Sequence, residues 1–146
     1  MGFEIPMSRP RYEEVDHPSD ICIRVYGDTV SEIFSNAAFA IFDIQYDLAH
    51  VSPEVFRVIG VTAPDAEVAL VRFLSEILYI SETESLVFRE FDTRVEDQDG
   101  GVNVRCSMKG CRFNPALHRK GILIKAIAYN LRVDMEKKEA IIVLDT

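Results

Sequence analysis

Two segments of the chain carry apolar residues at the spacing of an α-helix. The first begins at Thr29 and Glu32, which stand three positions apart as in a capping box. Its apolar positions fall on one face of a helix predicted to run to about Ile44, and they are Val30, Ile33, Phe34, Ala37, Ala38 and Ile41. The second helix is predicted to open at Pro64 and Asp65, and its buried stripe comprises Val68, Val71, Leu74, Ile77 and Leu78. Both stripes are typical of helices that pack against a core.

The other patterned segments resemble β-strands. They are residues 21–26, 54–61, 86–95, 102–108, 122–133 and 140–144. Asp99, Gly100 and Gly101 predict a tight turn that joins two of these runs in a hairpin, and residues 136–139 predict the next turn. Because strands outnumber helices and hairpins join many of them, the predicted fold class is α+β: a mostly antiparallel sheet with two main helices packed on it.

The length and composition fit one domain. The chain has 146 residues, 48% of them hydrophobic and 27% charged, which excludes a mainly disordered protein. Pro6 and Pro10 block regular structure near the start, so residues 1–11 are predicted to be a flexible N-terminal extension and residues 12–146 the folded domain. No run approaches the roughly 20 apolar residues of a membrane span, and the N-terminal segment lacks the apolar region of a secretory signal.

Charge and cysteine content narrow the possible functions. The 16 basic and 24 acidic residues give a net charge of −8 at pH 7. No stable direct binding to nucleic acid is expected, since phosphate contacts need lysine and arginine. An acidic protein suits a basic partner, a cation or simple solubility. The three cysteines cannot all pair and lack the spacing of a zinc site, which predicts reduced thiols and a cytoplasmic location.

The chain contains no standard catalytic motif. The patterns of the serine-hydrolase elbow, the phosphate-binding loop, the dinucleotide-binding turn and the HExxH zinc site are all absent from the sequence. The histidines are His17, His50 and His118. His118 lies in the segment 115–120, which fits either a helical turn or a basic patch that binds anions. The lack of a nucleophile–base motif favours a non-catalytic role.

Two acidic segments are candidates for cation binding. Asp16, His17 and Asp20 stand just before the first predicted strand, and this cluster fits either a turn or a set of oxygen and nitrogen ligands. At the other end Asp145 stands beside Thr146, so its side chain is expected to adjoin the terminal carboxylate. Two neighbouring anions repel unless a cation or a basic partner neutralises them. The alternative is a frayed, solvated terminus, and spacing alone leaves open whether Asp20 and Asp145 meet.

Six blocks of the sequence resemble the archease family and follow the family's order. They are similar to its opening D-H-T-A-D-I-G-I-R-A-Y-G-like signature (residues 16–27), its A-A-L-A-L-F segment (37–42), its L-N-E-L-L-Y segment (74–79) and its later blocks (86–91, 124–129 and 143–146). The resemblance covers about residues 12–146. The chain departs from the family pattern where Pro18 and Ser19 replace a Thr-Ala pair and where Asn130 replaces a histidine.

The resemblance implies a partner and a site. Archeases are protein cofactors of the RtcB-type tRNA-splicing RNA ligase, which joins RNA ends through a ligase–GMP intermediate with GTP and manganese. They promote its guanylylation and its multiple turnover. The family also carries a divalent-cation site, expected to take Ca²⁺, and the matching ligands in this chain are Asp20, Asp145 and Thr146. Four further residues match the family pattern and are assigned only a possible interaction role: Asp16, His17, His118 and Lys125.

The expected function is therefore that of a non-catalytic activator of this ligase in tRNA splicing and RNA repair. Two alternatives stand beside it. One is a metal-dependent, phosphoesterase-type hydrolase, in which a carboxylate-bound cation activates water. The other is a chaperone-like adaptor for RNA-modification enzymes. No membrane partner is expected.

Overall fold

The computed structural model describes residues 9–18 and 20–146, so residues 1–8 of the predicted extension and Ser19 lie outside the described part. Two long helices, α1 (Val30–Gln45) and α2 (Ala66–Glu84), and a short helix α3 (Pro115–His118) accompany the strands. The strands are β1 (Tyr12–Val15), β2 (Ile21–Tyr26), β3 (Val55–Ala63), β4 (Leu86–Gln98), β5 (Gly101–Arg112), β6 (Ala126–Ile127), β7 (Arg132–Asp134) and β8 (Glu139–Asp145). The predicted α+β class is confirmed.

The strands form two antiparallel sheets. In the first sheet β2 pairs with β1 on one side and β8 on the other, and the far side of β8 is shared by β6 and β7. The second sheet has the order β3-β5-β4, so the β4–β5 hairpin supplies two of its strands and β3 forms an edge. β8 therefore lies in the middle of the first sheet and joins its N-terminal strands to the C-terminal loops.

Side-chain caps fix where the two long helices begin. The Thr29 hydroxyl accepts the Glu32 N–H at 3.1 Å, and the Glu32 carboxylate accepts the Asp28 N–H at 2.6 Å, so the predicted capping box is present. Asp65 caps α2 by accepting the Val68 N–H at 2.9 Å. Within the described ranges, no helix combines the length and the apolar character needed to cross a membrane.

The helices bury their apolar stripes between the sheets. Both predicted stripes lie in the core, although three members are only half-buried, namely Val30, Val68 and Leu78. Phe42 of α1 is fully buried, and its ring lies 5.7–6.0 Å from those of three neighbours, Tyr46, Phe88 and Phe91. The contacts with Phe88 and Phe91 attach α1 to β4 of the hairpin, and the contact with Tyr46 packs the residue that follows α1 against the helix.

The β4–β5 hairpin is longer than the sequence predicts. Asp99 and Gly100 form its turn with φ values of 46° and 78°, the left-handed pair that a two-residue hairpin needs. The ladder then continues as far as Leu86 opposite Arg112. A β-bulge in β4 between Phe88 and Glu90 shifts the register. Gly110 lies opposite Phe88, where the two strands approach closely.

The prediction of β structure over residues 122–133 holds only in part. Residues 126–127 and 132–133 pair with β8, whereas the residues between them form a turn and residues 122–125 form a loop. The cause is that β8 has one free edge, which two short strands share. β1 was not among the predicted strands, because Glu13 and Glu14 interrupt any apolar alternation there.

The last residues of the predicted N-terminal extension contact the domain. Arg9 donates hydrogen bonds to the carbonyl oxygens of Lys137 and Lys138 at 3.0 and 3.1 Å, and its guanidinium lies 4.6 Å from the centre of the Tyr26 ring. The Arg11 guanidinium lies 4.2 Å from the centre of the Phe39 ring. Residues 9–11 are therefore attached to the first sheet and α1.

The three cysteines are free and buried. Burial raises the pKa of the Cys106 thiol to about 11 and also raises the pKa of Cys22. Since the thiolate is the reactive form, we expect a thiol reagent at pH 8 to label the folded protein slowly and the urea-unfolded protein rapidly. A Ser75→Cys variant, placed on the exposed face of α2, should gain one fast-reacting thiol. Rapid labelling of the folded wild-type protein would contradict this burial.

Candidate functional site

The end of the first sheet brings two predicted ligands to neighbouring strand positions. The β2–β8 ladder ends with Ile21 opposite Leu144. Asp20 directly precedes Ile21 and Asp145 directly follows Leu144, so continuing the ladder by one position would set Asp20 opposite Asp145. On its other side Asp145 pairs with Ala126 of β6. Two acidic residues from opposite ends of the chain therefore share one end of the sheet.

The pleat of the sheet directs this pair of positions away from the core. Ile23, Ile142 and Leu144 alternate with them and are fully buried. By the same alternation Asp145 lies on the outer face of β8, and Asp20 directly precedes β2 at this end of the sheet. Asp145 is exposed, and the Asp20 side chain retains 34% of its accessible surface. The result is a local concentration of negative charge, which we call the acidic end.

Residues before β2 extend the acidic end. Asp16 follows β1 directly and is exposed. The His17 Nδ1 lies 3.9 Å from the Asp20 carboxylate, close enough for an ion pair when the imidazole is protonated. His17 is thus the candidate interaction residue that the structure places beside a predicted ligand.

Lys125 reaches the same strand end through its backbone. Its N–H donates to the Asp145 carbonyl oxygen at 2.7 Å, while the residue itself is exposed. The preceding residue, Ile124, is held by Gln45, whose side-chain oxygen accepts the Ile124 N–H at 3.0 Å and whose amide donates to the Ile41 carbonyl oxygen at 2.8 Å. Gln45 is 4% exposed. It fixes the loop that carries Lys125.

Gln45 was not among the site residues predicted from the sequence. A signal was available, because a glutamine at the C-terminal end of an apolar helix stripe must satisfy its amide if the stripe is buried. The partner of that amide, however, lies in a segment predicted as a strand. The role of Gln45 therefore became visible only with the loop conformation.

His118 has a structural position away from solvent. It is 2% exposed, its Nδ1 accepts the Asn114 N–H at 2.9 Å, and its Nε2 donates to the His50 carbonyl oxygen at 3.0 Å. Its ring also lies 6.2 Å from that of Phe113. The helical-turn interpretation of segment 115–120 therefore accounts for His118, which links α3 to the turn at residues 48–50.

A His118→Phe substitution tests this link. The substitution keeps an aromatic ring of somewhat larger size, but both hydrogen bonds are lost, and the Asn114 N–H and His50 C=O are left unsatisfied. We expect the free energy of unfolding to fall by about 2 kcal/mol, measured by urea denaturation. The matched variant His50→Phe changes an exposed ring and should cost much less. Equal stability of wild type and His118→Phe would contradict the structural role.

The acidic end contains few side chains that could bind a metal ion, and their donor atoms are hard carboxylate oxygens. In residues 9–18 and 20–146, no group of three or more His, Cys, Asp or Glu side chains is placed to hold a metal ion. The aspartates contribute two side-chain carboxylates at adjacent strand ends. This chemistry fits a Ca²⁺-type cation, which accepts carboxylate, carbonyl and water oxygens, and it leaves further positions to Thr146, water or a partner.

Three comparisons bear on the class of the protein. Residues 12–146 match the model of the Archease protein family (MTH1598/TM1083). Protein archease of Methanosarcina mazei is 36% identical over 134 residues, covering 91% of each chain, and that of Pyrococcus furiosus is 37% identical over 120 residues, covering 82% of this chain and 84% of the relative. The solution structure of Methanobacterium thermoautotrophicum protein 1598 matches with a TM-score of 0.80 at 25% identity, over 93% of this chain and 99% of that one.

Fold and site together define a small α+β protein in which Asp20 and Asp145 lie at the same end of the central strands β2 and β8. The match to the family model extends over the whole of the predicted folded domain. The chain belongs to the archease family.

Proposed function

We propose that this protein is a non-catalytic activator of an RtcB-type tRNA-splicing RNA ligase, acting in the cytoplasm on the ligase's guanylylation step and multiple turnover. Membership of the archease family supports the proposal. The sequence also lacks a recognisable nucleophile–base motif. We therefore assign the chemistry of RNA joining to the ligase and assign this protein an accessory role.

The observation that carries the proposal is that Asp20 and Asp145 flank the Ile21–Leu144 pair at the same end of the first sheet. An RNA ligase must bind phosphates and therefore needs a basic active site. A compact acidic end on a protein of net charge −8 is complementary to such a surface. Complementary charges accelerate the encounter of two proteins more than they tighten the complex.

We further propose that the acidic end binds a divalent cation, most favourably Ca²⁺. Asp20 and Asp145 supply side-chain carboxylates, and Thr146 supplies a further oxygen. When bound, the cation neutralises the repulsion among these anions and orders the residues around them. His17, beside Asp20, and Lys125, beside the Asp145 carbonyl, are positioned to contact the partner or to orient the donors.

The direct test adds the purified protein to its cognate ligase and follows formation of the ligase–GMP adduct and the number of ligation cycles. We expect both to rise with the concentration of the added protein. An unchanged rate and an unchanged number of cycles would rule out the activator role. Phosphodiester hydrolysis by this protein alone, lost in Asp20→Ala, would favour the hydrolase alternative instead.

A further inference from the structure

The second sheet ends in a strand with an open edge. Among the strands of the described residues, β3 pairs with β5 alone. Along an antiparallel strand, alternate residues direct their N–H and C=O groups to opposite sides. The carbonyl oxygens of Phe56 and Thr62 accept hydrogen bonds from the Arg57 and Arg72 side chains at 2.8 and 2.7 Å, so these alternate positions face outward. Val58 and Gly60, which lie between them, share that orientation.

The two arginines protect the ends of this edge and leave its centre open. Natural edge strands are usually protected by charged residues, proline or bulges, because an unpaired edge is a template for another strand. Here the arginine side chains occupy one carbonyl near each end of β3. Among residues 9–18 and 20–146, no hydrogen bond from outside the sheet reaches the N–H and C=O groups of Val58 and Gly60. These are the pairing groups of one short ladder.

Gly60 is a second, independent sign that something approaches this edge. A glycine in the middle of a strand weakens it and often marks a close approach by another backbone or a ligand. The fold of a single chain does not require glycine here, since a β-carbon at Gly60 would meet only the Val104 carbonyl oxygen, at 3.6 Å, among the described residues. Beside it, the side chains of Phe56 and Val58 are 54% and 47% exposed on the outer face.

We propose that β3 pairs with β3 of a second copy of this chain, antiparallel, about a two-fold axis through Ile59. This register places Val58 of each copy opposite Gly60 of the other and forms four backbone hydrogen bonds. The missing side chain of Gly60 leaves room for Val58, and Phe56 lies on the diagonal, within the reach of an aromatic ring. The strand is thus complementary to itself, which distinguishes a second copy from an unrelated peptide. The inference does not depend on the proposed function.

The test measures self-association by sedimentation from about 1 μM to 1 mM protein. We expect a reversible dimer and expect Val58→Lys, which sets two charges at the joined edges, to weaken it at least about tenfold. Ser107→Lys is the matched control, because Ser107 lies opposite Val58 on the central strand of the same sheet. It should dimerise like the wild type. A wild-type protein that stays monomeric, or a Val58→Lys variant that dimerises equally, would overturn the proposal.

A cross-linking experiment tests the register without relying on a loss of association. In a Val58→Cys/Gly60→Cys variant, each new thiol faces its counterpart on the other copy, so mild oxidation should give a covalent dimer that a reducing agent separates. The corresponding pair on the central strand, Arg105→Cys/Ser107→Cys, should not cross-link. A dimer that forms without this cross-link would refute β3 pairing. Wild-type protein oxidised in the same way is the control for cross-linking through the native cysteines, which are buried.

Discussion

Replacing Asp20 or Asp145 with asparagine is expected to reduce stimulation of the ligase at least about tenfold, equivalent to about 1.4 kcal/mol of lost stabilisation. Asparagine keeps the volume of the side chain and removes its charge. Asp145 is exposed and Asp20 is only half-buried, so the fold should tolerate the change. The measurement is the rate of ligase–GMP formation at a fixed ratio of the two proteins.

The same variants separate the cation proposal from the ligase proposal. A ligand present at 100 times its dissociation constant stabilises the folded state by about 2.7 kcal/mol, which corresponds to a rise in melting temperature of roughly 5–10 °C for a domain of this size. We expect Ca²⁺ to raise the melting temperature of the wild type and to have little effect on Asp20→Asn or Asp145→Asn. If Ca²⁺ shifts none of them while the ligase is still stimulated, the acidic end acts without a cation.

Two controls complete this experiment. Asp97→Asn removes one exposed negative charge at the end of the hairpin, so it should retain full stimulation if the location of the charge matters more than the total. A Gly-Ser extension after Thr146 tests the oxygen donor assigned to that residue, and it should weaken Ca²⁺ binding while leaving both aspartates in place. Wild-type behaviour of both aspartate variants would remove the acidic end from the mechanism.

The largest expected loss of stability comes from Gly110→Ala. A β-carbon at Gly110 would overlap the Val87 carbonyl oxygen and lie 2.7 Å from Phe88 Cα. Both are backbone atoms of β4, beside the bulge, and they cannot move without breaking the hairpin ladder. We expect the free energy of unfolding to fall by about 3 kcal/mol or more, measured by urea denaturation.

Gly60→Ala is the matched control for that substitution. It lies in the same sheet, but the β-carbon would make an ordinary contact at 3.6 Å. At a low protein concentration, its stability should stay within about 0.5 kcal/mol of the wild type. Equal destabilisation by the two alanines would show that strand propensity, and not the close approach to β4, governs Gly110.

Local patterns made the helices and the hairpin predictable. The α1 capping box and the Asp99-Gly100 turn depend on residues close together in sequence, and both are present. Residues 122–133 have β-type composition, yet composition alone does not show that β8 offers them a single shared edge. The strand that lacks alternation, β1, gave no local signal.

The sequence was sufficient to name the residues of the acidic end but not to predict that they lie close together. Asp20 and Asp145 could be named from the sequence because of their residue type and their neighbours. Their juxtaposition depends on the β2–β8 register, which no local pattern encodes. His118 shows the converse, since a histidine in a basic segment proved to be a buried link between α3 and a neighbouring turn.

The central place of β8 has a consequence for biosynthesis. β1 and β2 leave the ribosome first, but β2 finds its second partner only when β8 has been made, more than a hundred residues later. Contacts between such distant segments form slowly because a long loop must be closed first. The hairpin sheet and α2 can assemble while the chain is still growing, and the first sheet must wait. The acidic end therefore comes into existence with the final folding step, so an incomplete chain cannot present it to a partner.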